Sequence, residues 1–137
     1  MSKPTPKVAD YMTENPHSIG LRQTLAQAYA LMREHNVRHL PVLSGGKLVG
    51  LLADPDLHTV DLLTRFPINE IAVEQAMTPV PYAVTADTRL DVAAREMAAH
   101  KYDAVVVMRD ARVVGVFTAI DALRALAATL GGGGTRA

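Results

Sequence analysis

Thr118 and Asp121 have the types and spacing to act together, three apart at the head of an alanine- and leucine-rich stretch. A hydroxyl followed at that distance by a carboxylate, before a helical run, reads first as a capping box in which each side chain satisfies an amide at the helix start. Five histidines raise metal ligation. His35 and His39, however, flank the expected end of a helix and need not share a face. His35 and His100 fall near helix C-termini, where an imidazole suits the negative end of the dipole, and His58 reads as a surface residue. Cysteine is absent, which excludes a disulfide scaffold, a thiolate nucleophile and a cysteine metal cage. Serines stand only at positions 2, 18 and 44, none of them in a nucleophile elbow. The carboxylates are scattered. The residues therefore predict neither an enzyme nor a metal site.

The elements that must position Thr118 and Asp121 are legible because the chain repeats itself. A shift of 65 residues superposes Val8 on Val73, Met12 on Met77, Thr13 on Thr78, Pro16 on Pro81, His35 on His100, Gly50 on Gly115 and Asp56 on Asp121. Twelve of the fifty pairs from 8/73 to 57/122 are identical, where ordinary composition gives about three. In each copy, apolar residues recur at helical spacing: Leu25, Ala28, Tyr29 and Met32, then Leu90, Ala93, Ala94 and Met97. Two short apolar runs follow, Val37 to Leu43 and Leu48 to Leu52 in the first copy, Ala104 to Met108 and Val113 to Phe117 in the second. The turns between them, Ser44-Gly45-Gly46 and Arg109-Asp110-Ala111, make each pair of runs a hairpin. Pro41 cannot donate to a ladder and marks an edge or unpaired point. Closing helices are expected from Asp54 and from Ala119, and small strands at Ser18-Ile19 and Ala83-Val84. The fold class is thus α/β (α+β), with two β-α-β-β-α repeats. Methionines 12, 32, 77 and 97 recur in register and read as core or interface filler.

The expected organisation is a flexible leader over 1–7, a first repeat over 8–63, a linker over 64–72, a second repeat over 73–130 and a flexible tail over 131–137. The 137 residues are 49% hydrophobic and 20% charged, with fourteen basic residues against fourteen acidic. That length suits one domain or two small halves sharing a core. The neutral balance argues against a nucleic-acid protein. The absence of a long apolar run argues against a membrane span, and the expected location is cytoplasmic.

Val8-Ala9-Asp10-Tyr11-Met12-Thr13 and Val73-Glu74-Gln75-Ala76-Met77-Thr78-Pro79 resemble the opening of a cystathionine β-synthase (CBS) domain. Val37-Arg38-His39-Leu40-Pro41-Val42 resembles that family's first hairpin strand. Gly50 to Leu57 and Gly115 to Ala122 resemble its second strand and final turn. The resemblance covers nearly everything from Val8 to Leu130. It implies a tandem pair, a Bateman module, packed by pseudo-twofold symmetry with two clefts that take adenosine-containing ligands: AMP, ADP, ATP, S-adenosylmethionine or cyclic di-AMP. It implies a stand-alone regulatory module with no required cofactor, a homodimer and a regulated partner protein. The alternative is a ligand-free dimerisation or interaction scaffold.

On this resemblance Gly115, Thr118 and Asp121 form a ribose-phosphate motif, whole in the second repeat. Asp121 would accept from both ribose hydroxyls, while the Thr118 hydroxyl and the first amides of the helix would take a phosphate. Glycine at 115 would let backbone and ligand approach closely. The same cleft would draw on His17, Val37, Arg38 and Ala104, with Arg38 neutralising a phosphate. The opposite cleft would combine Asp56 and His39 with Tyr82, Tyr102 and Asp103. Its motif departs from the pattern, because Ala53 stands where Thr118 does and Asp54 adds a negative charge. It therefore suits a neutral adenosyl group better than a polyphosphate, or is empty.

Overall fold

The computed structural model describes residues 4–54 and 67–131. Asp56, His58, most of the first closing helix and the tail beyond Gly131 lie outside them. The described residues form two compact units. One holds the chain up to Asn15, Tyr82–Asp110 and the chain from Val114 onward; the other holds Pro16–Pro81 and Ala111–Val113.

The strands are β1 (Thr13–Glu14), β2 (Ile19–Gly20), β3 (His39–Ser44), β4 (Lys47–Ala53), β5 (Thr78–Pro79), β6 (Ala83–Thr85), β7 (Ala104–Arg109) and β8 (Arg112–Thr118). The helices are α1 (Leu25–His35), α2 (Leu90–His100) and α3 (Ala119–Leu130). The strands make two four-stranded sheets, ordered β2-β3-β4-β5 and β1-β8-β7-β6. Within each sheet the hairpin is antiparallel, the small strand β2 or β6 runs parallel to the hairpin's first strand, and the last neighbour is antiparallel. The β-α-β-β order holds in both copies, and α3 completes it in the second.

The two edge strands β1 and β5 are exchanged. β1 precedes the first copy but pairs with β8 of the second, and β5 precedes the second copy but pairs with β4 of the first. The segments leading into them follow the same rule. Leu90 N donates to Pro6 O at 2.8 Å and Leu25 N to Ile71 O at 2.9 Å; Val8 N donates to Thr88 O at 2.8 Å and Val73 N to Gln23 O at 2.7 Å. Pro6 and Lys7, expected to belong to a loose leader, are thus held: Lys7 also bridges Arg89, as Ala72 bridges Thr24. A start of the chain that lacks apolar residues can still be fixed through its backbone, because the first amides of a helix need acceptors.

Each core records the exchange. Val8 is buried with Val84, Ala93, Met97, Val105, Val107 and Phe117, while Ile71 and Val73 are buried with Leu25, Ala28, Met32, Leu40, Val42 and Leu52. Met32 and Met97 are core residues, and Met77 and Met12 pack against the respective cores. Burying such side chains contributes about 1.5–3 kcal/mol each. Pro41 is buried opposite Leu51, and β2 begins pairing only at Val42, so the missing N–H falls where the ladder has no second neighbour.

Both hairpins close through two-residue turns with positive φ at both positions: Gly45 at 57° and Gly46 at 81°, Asp110 at 51° and Ala111 at 66°. That is the twist a two-residue hairpin wants. The turn after β5 is less well served. Val80 has φ 46° and is 90% exposed, whereas the residue in register, Asn15, has φ 48°. A β-branched side chain is strained there, and asparagine tolerates that region. Val80→Asn is therefore expected to stabilise the protein by about 1 kcal/mol, read as a higher urea midpoint. A lower midpoint would contradict this reading of the turn.

Candidate functional site

β8 ends at Thr118 and α3 starts at Ala119, and here the capping box expected from the sequence is formed. Thr118 Oγ1 accepts from Asp121 N at 3.2 Å, and Asp121 Oδ2 accepts from Thr118 N at 3.0 Å. Ala119 N donates to Asp103 O at 2.8 Å. Three donors at this helix start are thus engaged within the chain, which narrows what the amides can offer a phosphate. The Thr118 hydroxyl accepts from Asp121 N and still has its own proton to donate. Asp121 is 2% exposed and is the one buried charged residue among those described. Arg124 Nη1 reaches its Oδ1 at 3.4 Å, so both carboxylate oxygens are oriented while each retains acceptor capacity.

Gly115 has a local structural role as well. A Cβ there would stand 2.5 Å from Met12 Sδ and 3.0 Å from Thr13 O. The space above this glycine belongs to the exchanged segment, and Gly50 meets Met77 and Thr78 in the same way. Both glycines leave room for the exchanged segment paired beside them, and they stand in register in the repeat. Ala104, buried at 7% exposure, opens β7 of the same unit.

Tyr82 and Tyr102, expected in the second cleft, are brought together. Their rings stack with centroids 5.4 Å apart, and His100 stacks on Tyr102 at 5.1 Å. Glu96 lies 3.5 Å from His100 Nε2. Burial first, then the Glu96 charge and Tyr102, raise the Tyr82 hydroxyl above its ordinary pKa. Asp103 follows Tyr102 and contributes its carbonyl to the start of α3.

In the other unit His17 stacks on His35, with centroids 3.5 Å apart and planes 16° from parallel. Position 17 is in register with 82, and 35 with 100, so each unit builds a ring stack at the same place. Sequence reasoning assigned His35 and His100 to the helix dipole alone; their register with each other, beside 17 and 82, was the available signal. Val37 packs partly buried against the first core and donates its amide to Met32 O at 2.9 Å. His39 opens β3 opposite Ala53. Arg38 Nη2 lies 3.6 Å from Asp54 Oδ2, so the cation expected to meet a phosphate already faces a carboxylate of its own unit. Asp56 lies outside the described residues. Among those described, no three histidine or carboxylate groups could hold a metal ion, and no helix is long and apolar enough to cross a membrane.

Known proteins are similar to this chain. The Bacillus subtilis protein YlbB is 28% identical over 114 residues, covering 82% of this chain and 76% of its own. A crystal structure of CBSX2 in complex with AMP is 29% identical with a TM-score of 0.76, covering 90% of this chain and 98% of that one. The CBS domain pair of protein MJ0100, in complex with 5′-methylthioadenosine and S-adenosyl-L-methionine, is 27% identical with a TM-score of 0.82, covering 92% and 99%. The profile of the CBS domain matches residues 8–61 and again 73–128, and the chain belongs to the CBS domain family as a tandem pair.

Proposed function

We propose that this chain is a regulatory module that binds an adenosine-containing ligand of the AMP, ADP or ATP type at the Gly115–Asp121 turn and passes its occupancy to a partner protein. The observation that carries the reading is Asp121, a buried carboxylate held in one orientation by its own capping box. A carboxylate fixed in advance meets two ribose hydroxyls without losing side-chain freedom on binding. The AMP bound to CBSX2 and the S-adenosyl-L-methionine bound to MJ0100 support the ligand class. Following the family resemblance, Ala104 of the same unit would serve the same ligand. The ring stack of Tyr82 and Tyr102 offers a face to the base of a second ligand. Regulation then requires that the ligand favour one of two arrangements of the protein.

A thermal-shift panel with AMP, ADP, ATP, S-adenosylmethionine and cyclic di-AMP tests this. A ligand at a hundred times its Kd stabilises the folded state by about 2.7 kcal/mol, so at least one of the five should raise the melting temperature. Silence across the saturating panel would leave the scaffold reading in its place.

One observation favours dimerisation as well. Ile120, Leu123, Leu126 and Leu130 of α3 are 56%, 58%, 51% and 76% exposed and recur along the helix. An apolar row of this kind marks an interaction surface, and we assign it to a homodimer. Leu123→Glu should shift sedimentation from the mass of two chains to that of one. A wild-type protein already sedimenting as one chain would refute the assignment.

A further inference from the structure

The second repeat carries three polar residues at intervals of three, Thr118, Asp121 and Arg124, where the first has Ala53, Asp56 and Thr59 in register. The three belong to one unit and form one connected group. Thr118 N donates to Asp121 Oδ2 at 3.0 Å, so the cap engages one oxygen of the carboxylate. The other oxygen, Oδ1, accepts from Arg124 Nη1 at 3.4 Å. Arg124 is 71% exposed while the Asp121 side chain is buried, so the pair reaches from solvent to an enclosed charge. The helix dipole favours a carboxylate at this end. The guanidinium adds the opposite charge and limits rotation of the group, and a buried charge that loses its partner is less well held. An ionised carboxylate has about four acceptor sites. Thr118 N and Arg124 use one each, on different oxygens, which leaves one acceptor on each oxygen in a set direction. The two vicinal hydroxyls of a ribose fill both. A 2′-deoxyribose fills one.

We propose that Arg124 is a positioning residue for the sugar, which holds Oδ1 of Asp121 so that the turn selects adenosine ribonucleotides over their 2′-deoxy counterparts. The inference rests on the adenosyl reading above and names the sugar within it. Arg124 acts through Asp121 and touches neither phosphate nor base. Its exposure keeps the effect modest and screened by salt.

The test measures calorimetric affinities of the full chain for AMP, adenosine and 2′-deoxy-AMP, with the weaker ligands read by competition. The wild type should prefer AMP over 2′-deoxy-AMP by about tenfold or more. Arg124→Ala, at an exposed helical position that alanine suits, should shrink that preference by about three- to fivefold at low salt. Arg124→Gln, which keeps the stem and removes the charge, should shrink it too and covers the case in which alanine disturbs the packing. AMP and adenosine should weaken by the same factor, because the guanidinium serves the sugar. An unchanged preference in both variants, with AMP still bound, overturns this proposal and leaves the adenosyl reading standing. Equal weakening of all three ligands also overturns it, since Arg124 is then structural only. So does a loss for AMP that adenosine does not share, which would put the guanidinium on the phosphate. A wild type that binds none of the three overturns the AMP-type reading and this proposal together.

Discussion

Replacement of Asp121 by alanine is expected to lower stability and to abolish the response to adenosyl ligands. The stability loss follows from the cap. Thr118 N would lose its acceptor at 3.0 Å and Arg124 its partner at 3.4 Å, at a side chain only 2% exposed. A lost cap costs about 1–2 kcal/mol, visible in urea unfolding. The binding loss follows from the two hydrogen bonds that a carboxylate accepts from ribose. Bonds to a charged group are worth about 1.5–3 kcal/mol, so affinity should fall by about tenfold or more. Asp121→Asn separates the two effects. Its amide oxygen can still accept from Thr118 N, so most of the stability should remain, while the charge and one acceptor are gone and the ligand response should collapse. If Asp121→Asn retains full ligand affinity, the cap is the whole role of this residue.

Gly115→Ala is expected to destabilise the protein by about 1–3 kcal/mol, the usual cost of forcing volume into a filled site. The added carbon would meet Met12 Sδ at 2.5 Å and Thr13 O at 3.0 Å. The thioether can swing aside, but the carbonyl belongs to β1, which is paired with β8 at Thr13↔Val116 and Glu14↔Gly115. Met12→Ala should therefore rescue part of the loss and not all of it. Gly50→Ala should behave alike, because Met77 and Thr78 of the other exchanged segment stand over it. Urea midpoints unchanged in Gly115→Ala would mean that the exchanged strand is not held there.

The helices and hairpins were legible because their signals are local. Leu25, Ala28 and Met32 keep helical spacing, and Gly45-Gly46 and Asp110-Ala111 supply the turn. The duplication was legible as identities at a fixed offset. The exchange of β1 and β5 was not, because each is a two-residue strand and strand pairing over such separations leaves no periodicity in the sequence. Gly50 and Gly115 were its one trace, and they read equally well as room for a ligand. The capping box between Thr118 and Asp121 could be read directly from spacing. The ring stacks could not, since His17 and His35 are separated by a strand and a helix and meet only when both are folded. The ion pair of Arg38 with Asp54 was hidden for the same reason: it joins two ends of a hairpin.

The central claim is that the turn from Thr118 to Asp121 receives the ligand. Amide chemical shifts recorded while the protein is titrated with AMP, and separately with S-adenosylmethionine, test it most directly. The account predicts that, for whichever ligand binds, the amides from Gly115 to Ala122 move most and that Asp121→Asn suppresses those movements. Saturable binding that leaves these amides still, with the changes elsewhere, would contradict it.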